Sequence, residues 1–428
     1  MRHLWRAAVV AAIALAAASV AAFEGKPLAA YARDVWTTRN GLPHNQVNDI
    51  AQTADGYLWM ATWEGLVRYN GQDFTLIGPQ SVEAFTDQGI RAISARRPDV
   101  LAVATSRGGV MLLQDGTWRR IGIAEGLAQD ETMRAEFDAQ GRLWVAHESR
   151  GVVRIDPDGR SRRFGPDEGL PSGQTFALLV DAEDVVWVGT QGGLARIEND
   201  RIRSFGAASG LPAGAVYALL PAPGGGLFIG THHGVYRGGS GAFRPHEAGF
   251  PDDAVASLAV DAQGNLLAGT VNRGLYRATD NGIERFSRAG GLPNNRVPAL
   301  FVDREGSIWV GTNAGLLRFA DTPFGSFDTY QGLADNYVRT VLEQPDGSVL
   351  IGSSGGLDRW QAGRITPVAR GIGGIGPEAV LSLANGRDGI VWVGMYSRGL
   401  YRLRDGAVVD HLDAADGMTG PQVRAVVE

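Results

Sequence analysis

Trp187-Val188-Gly189-Thr190-Gln191-Gly192-Gly193-Leu194-Ala195-Arg196 returns in nearly the same letters as Trp309-Val310-Gly311-Thr312-Asn313-Ala314-Gly315-Leu316-Leu317-Arg318. Further copies run from Trp59 to Arg68, Trp144 to Arg154, Phe228 to Arg237, Leu267 to Arg277, Leu350 to Arg359 and Trp392 to Arg402. A degenerate copy passes from Ala102 through Thr105 and Gly109 to Leu112. Successive starts lie 43, 42, 43, 41, 39, 42, 41 and 42 residues apart. A fixed period of this length with glycine punctuation means one supersecondary unit stacked many times.

The repeat spanning 169–209 shows what that unit is. Gly169-Leu170-Pro171 turns the chain, and Thr175 to Val180 is a β-prone apolar run. Polar turns then separate Val185 to Thr190, Leu194 to Ile197 and Ile202 to Phe205. Four short strands in about forty residues make a blade of a β-propeller, an all-β fold. Trp59, Trp144, Trp187, Trp309 and Trp392 share one strand position, as bulky side chains filling the space between blades should. An arginine closes eight copies (Arg68, Arg154, Arg196, Arg237, Arg277, Arg318, Arg359 and Arg402) and is expected in inter-blade pairing or stacking.

Nine repeats exceed the four to eight blades of a usual ring. Tyr31 to Trp36 precedes the first Gly-Leu-Pro and reads as an orphan outer strand that completes a seventh blade. Pro323 to Tyr330 stands in the same relation to Gly332-Leu333-Ala334. The expected organisation is a signal peptide over 1–22, one seven-bladed propeller over 23–321, and an incomplete second propeller over 322–428 with two blades and the start of a third. An open ring leaves unpaired edges, so the gene is expected to continue past Glu428.

Composition narrows the class. The chain has 428 residues, 44% of them hydrophobic, 60 glycines and a formal net charge of -6. That charge gives no nucleic-acid footprint. Lys26 is the only lysine among many arginines. Arg2 and Arg6 precede an apolar run from Ala7 to Ala18, and Ser19-Val20-Ala21-Ala22 offers small residues before Phe23. This is the pattern of a secretory signal, too short for a comfortable membrane span, and it predicts a periplasmic location. With no cysteine, disulfides, thiol catalysis and Cys-ligated metal are excluded. Acidic-glycine pairs such as Asp55-Gly56 and Glu305-Gly306 are explained by tight hairpins and lack the clustered oxygens of a calcium site. Gly371-Ile372-Gly373-Gly374 does not lead from a strand into a helix, so nucleotide binding is rejected.

The spaced elements Gly-Leu-Pro, Asp-x-x-Gly, Trp-x-Gly-Thr and Gly-Leu-x-Arg, best seen in 169–196 and 291–318, resemble the regulator propeller of bacterial two-component sensors. The resemblance covers nearly all of residues 31–428. It implies two seven-bladed propellers in the periplasm, then a β-sandwich, a membrane helix and a cytoplasmic histidine kinase or diguanylate cyclase. Val35 to Asn70 looks most like the cyclase-linked members. The expected role is a ligand-sensing module, for a small molecule or oligosaccharide, acting as a homodimer that touches the membrane only through a downstream helix. A propeller lyase, a glycan-cleaving enzyme and a protein-binding scaffold are the alternatives, because one fold hosts many chemistries.

In such a blade, loops between second and third strands share a face with the loops between blades. There the repeat stops being monotonous. It carries Trp63 and Glu64, Arg107, His147 with Glu148 and Arg150, His232 with His233, Asn272 with Arg273, and Tyr396 with Arg398. These twelve are the candidate ligand-binding residues, as variable loops on a rigid scaffold suggest; unconstrained surface would look the same. His147-Glu148 and His232-His233 are the candidates for acid/base or metal chemistry, while His147 replaces the usual Thr and is equally read as a turn cap. No catalytic constellation, metal site or cofactor is assigned.

Overall fold

The computed structural model describes residues 26–239, 241–322, 327–369 and 374–427; the signal-peptide segment and Gly371 to Gly373 lie outside them. The described residues form nine four-stranded antiparallel sheets. The repeat read from sequence over 169–209 becomes strands Thr175–Val180, Val186–Thr190, Gly193–Glu198 and Arg201–Phe205, paired in that order. The chain divides into two compact units, Met1–Phe324 and Gly325–Glu428.

The first unit contains seven sheets, called blades 1–7 here in chain order from Val47. Six are consecutive in sequence. The seventh joins Ala299–Val302, Ile308–Thr312 and Gly315–Ala320 to Ala32–Trp36, the segment read as an orphan strand. That strand runs antiparallel to its neighbour, with Val35 opposite Leu317 and Trp36 opposite Leu316. First strands of neighbouring blades pack on one another around the whole cycle, Val47–Gln52 meeting Ala299–Val302 to close it. Apolar clusters fill each space between blades. In the closing one, Val47, Ile50 and Met60 of blade 1 pack with Ala299, Trp309 and Leu316 of blade 7.

Three local devices recur. The glycine of Trp-x-Gly-Thr lets blades approach: a Cβ on Gly189 would lie 2.6 Å from the Val216 carbonyl of the next blade, and one on Gly311 2.8 Å from Val47. The following Thr closes the loop to the third strand. Thr190 donates to the Gly193 carbonyl (2.9 Å) and accepts from the Gly192 amide (3.2 Å), as do Thr62, Thr231 and Thr312 in their blades.

The third device is an aspartate in the turn between first and second strands. Asp181 Oδ1 accepts the amides of Glu183 (3.1 Å) and Val185 (2.9 Å), while Oδ2 accepts Trp187 Nε1 (2.8 Å). Asp138 does the same for Gln140, Arg142 and Trp144. The recurrent tryptophan is thus held by its own blade's turn as well as packed against a neighbour. The arginines differ from the inter-blade expectation. Arg196 lies directly across the strand pair from Trp187, so its guanidinium covers that ring at 5.7 Å and pairs with Glu198 two residues on. Arg318 and Arg402 likewise cover Trp309 and Trp392. Arg154 also reaches into the next blade, to Asp200.

The second unit has two complete sheets, 338–367 and 380–412, with Leu350, Val380, Val393 and Tyr401 packed between them. Among the described residues no helix is long and apolar enough to cross a membrane.

Candidate functional site

Each first strand of blades 1–6 carries a register shift after its first residue, between Val47 and Asp49, Ile90 and Ala92, Thr132 and Arg134, Thr175 and Ala177, Val216 and Ala218, and Val255 and Ser257. Bulges of this kind re-aim a side chain and are enriched beside functional sites. The displaced residues are Asn48, Arg91, Met133, Phe176, Tyr217 and Ala256. They stand at the same end of the blades as the loops between second and third strands. This position holds a different residue in each of the six blades, while the residue before it is always β-branched (Val47, Ile90, Thr132, Thr175, Val216 and Val255).

Over blades 1–3 these elements enclose a crevice of about 890 Å³. It gathers Trp63, Arg107 and Glu148 of the twelve candidates, together with Arg91, Asp87 and Ser106, which the loop-based reading missed. Trp63 is 40% exposed, unusual for an indole in this fold. Arg91 lies 6.0 Å from its ring, and Nη2 of Arg91 donates to Glu148 at 2.8 Å. The Nε of Arg91 is buried with no hydrogen-bond partner among the described residues. Asp87 fixes the neighbouring loop, accepting from Ser106 Oγ (2.5 Å) and the Arg107 amide (2.6 Å). Beneath, Asp49 of blade 1 accepts from Arg134 of blade 3 (3.1 Å) and from the Ile93 amide of blade 2 (3.1 Å). The result is an exposed flat aromatic face beside ordered donors and acceptors, an arrangement suited to holding a polar ligand.

The other candidates are distributed elsewhere. Glu64 and Arg150 are exposed outside the crevice. On blade 5, His232 Nδ1 lies 3.4 Å from Tyr217 Oη and its ring 5.2 Å from His233, while His233 Nδ1 is 2.8 Å from Asp252. Phe176 tilts against Tyr217 at 5.1 Å, extending an aromatic sector over blades 4 and 5. On blade 6, Asn272 donates to Asp253 (3.4 Å) and the Arg273 carbonyl accepts from Arg285 (3.0 Å). In the second unit, Tyr396 lines a separate crevice with Tyr337 and Arg339, and Arg398 pairs with Glu378 at 3.1 Å. Among the described residues no three His, Asp or Glu side chains converge as metal ligands.

His147 corrects the sequence reading. It is fully buried, not on the rim, and neither ring nitrogen has a hydrogen-bond partner among the described residues. A threonine hydroxyl here reaches the loop carbonyl; the larger imidazole does not reproduce that bond. Burial, with the Arg163 charge adding to it, lowers its pKa from 6.5 to about 4. The sign follows from linkage. The folded state resists protonation, so this position stabilises fully above pH 6.5 and loses that contribution as pH falls from 6.5 toward 4, by roughly 3 kcal/mol. His147→Thr is expected to restore the loop bond, gain about 1–3 kcal/mol at pH 7 and flatten the acid slope. Urea midpoints at pH 7 and pH 4.5 check this; an unchanged difference between the two pH values would sink it.

Comparisons with known proteins follow the same lines. The signature of the family described as two component regulator propeller matches residues 41–64 and 291–314. No curated protein matches the chain. Among solved structures, the extracellular domain of the hybrid two-component system BT3049 from B. thetaiotaomicron is similar with a TM-score of 0.66 at 19% identity, over 90% of this chain and 61% of that one. The extracellular domain of BT4673 from the same organism gives 0.57 at 16%, over 92% and 63%. Virginiamycin B lyase from Staphylococcus aureus gives 0.55 at 13%, over 68% and 100%. At these identities the likeness is one of fold, and the chain spans under two thirds of the two extracellular domains. Two stretches of the chain, residues 41–64 and 291–314, thus match the two-component regulator propeller signature directly, and the nine-sheet fold is that of the extracellular domains it resembles.

Proposed function

We propose that the chain is the periplasmic ligand-sensing region of a transmembrane signalling receptor, with a diguanylate cyclase or histidine kinase as its output. The ligand class is a small molecule or oligosaccharide, and the receptor acts as a homodimer. A signal requires that the ligand distinguish two states of such an assembly. The observation that supports this reading is the crevice over blades 1–3, where an exposed Trp63 stands beside Arg91 and Glu148 on a rigid, otherwise repetitive scaffold. The family of the repeats supports it as well.

The test is a thermal-shift and calorimetric screen of small metabolites and oligosaccharide fragments against the full chain. A hit is expected to lose about ten- to a hundredfold in affinity in Arg91→Ala, since a hydrogen bond to a charged group is worth about 1.5–3 kcal/mol. Trp63→Ala is expected to abolish the hit with little loss of fold stability, because the ring is already part exposed. A hit indifferent to both substitutions, or turnover of any compound in the panel, would replace this reading with another site or with an enzyme.

A further inference from the structure

On the face opposite that crevice, blade 5 departs from its neighbours at the turn between its first and second strands. The hairpin itself is the same. Ala222 N–H donates to the Gly226 carbonyl (3.0 Å) and Gly225 N–H to the Ala222 carbonyl (3.0 Å), as Asp181 N–H does to Val185 (3.0 Å) and Asp184 N–H to Asp181 (3.2 Å) in blade 4. The strand register is equivalent too, Pro221 opposite Leu227 where blade 4 has Val180 opposite Val186. What is missing is the carboxylate. Ala222 stands where blades 3, 4, 6 and 7 have Asp138, Asp181, Asp261 and Asp303.

Two backbone amides feel that loss. In blade 6, Asp261 Oδ1 accepts from the amides of Gln263 (3.0 Å) and Asn265 (2.8 Å), and Oδ2 accepts from Arg277 Nε (2.7 Å). The counterparts in blade 5 are the amides of Gly224 and Gly226 and the guanidinium of Arg237. Gly224 and Gly226 are exposed, and neither amide has an acceptor among the described residues. Arg237 covers Phe228 at 5.5 Å and donates to the Pro223 carbonyl (3.1 Å), but meets no carboxylate among the described residues. All three groups line one groove of about 700 Å³ between blades 4 and 5. Across it, the Asp181 carboxylate is taken up by its own turn and Glu183 also lines the groove, so an incoming anion is disfavoured on the blade 4 side and favoured beside Arg237.

We propose that this groove is a second binding site, for a small organic molecule bearing a carboxylate. The carboxylate takes the place of the absent aspartate. One oxygen accepts from the Gly224 and Gly226 amides and the other from Arg237, while the groove holds the rest of the molecule. Charge-assisted bonds of this kind, paired with a planar guanidinium, suit a carboxylate.

Acetate and acetamide are the probes, matched in ionic strength, against the full chain labelled with 15N-glycine. Acetate is expected to move the Gly224 and Gly226 amide protons downfield along a saturating curve, and acetamide is not. Ala222→Asp supplies the carboxylate from the chain, so its two amides should sit downfield already and stop responding. Arg237→Gln should weaken the acetate response about tenfold or more. Amides that ignore acetate, that follow acetamide equally, or that still respond in Ala222→Asp would overturn the proposal. None of these outcomes touches the crevice over blades 1–3, which the same spectra report separately.

Discussion

Trp309→Ala is expected to destabilise the first propeller by about 3–5 kcal/mol, the range for truncating a buried Trp. Trp309 is 1% exposed and sits in the space that closes the ring between blades 7 and 1. It stacks on Trp36 with centroids 5.5 Å apart, meets the edge of Tyr69 at 5.8 Å, and donates from Nε1 to Asp303 at 2.7 Å. Alanine would leave a cavity lined by strands from the first and last blades of the first unit, with little freedom to collapse. It would also strip the platform from the closing strand, whose Trp36 loses its stacking partner. Chemical denaturation followed by tryptophan fluorescence and circular dichroism reads the change. Trp63→Ala is the internal control, since that exposed ring should cost little; equal small losses at both positions would refute the packing account.

The second large effect is at Arg277. Its side chain is 0% exposed and its partner Asp261 is 1% exposed, an ion pair at 2.7 Å inside the protein. Arg277 also donates to the Lys26 carbonyl at 2.9 Å and lies 5.7 Å from the Tyr31 ring, so it fastens the entering segment to blade 6. Arg277→Ala strands a buried carboxylate and is expected to cost about 3–5 kcal/mol. Asp261→Asn combined with Arg277→Met removes both charges and is expected to recover much of that loss, because a matched apolar replacement of a buried pair is often neutral. The double-mutant cycle measures the coupling. If the two single losses simply add, the pair is not the source of the effect.

How far these features were legible in the sequence depends on their scale. The sheets were, because apolar alternation and glycine turns recur with a fixed period. The closing strand was also legible, because Tyr31 to Trp36 had no sheet of its own to join. The pairing of Arg196 with Trp187 within one blade was not, since it follows from which residues face each other across the third strand. Arg91 escaped for a different reason. It lies inside a strand, where alternation suggests packing, and only the register shift turns it toward the mouth. A signal existed: Asn48, Arg91, Met133, Phe176, Tyr217 and Ala256 all differ at one repeat position, each directly after a β-branched residue. His147 misled because a polar residue at a loop-closing position suggests a cap, and size decides whether a side chain can act as one. The missing aspartate at Ala222 was visible as a letter, but its meaning needed the two amides it leaves without an acceptor.

The strand Ala32–Trp36 has a consequence for synthesis. Asp34 and Arg318, which meet at 2.6 Å, are 284 residues apart in the chain. At about 5–20 residues per second, a ribosome needs roughly 15–60 s to deliver the partner after the strand has emerged. For that interval the nascent chain carries a strand whose pairing edge has no partner yet. In whatever order blades 1–6 form, the clasp cannot close before the final hairpin, Ile308–Thr312 with Gly315–Ala320, has been made.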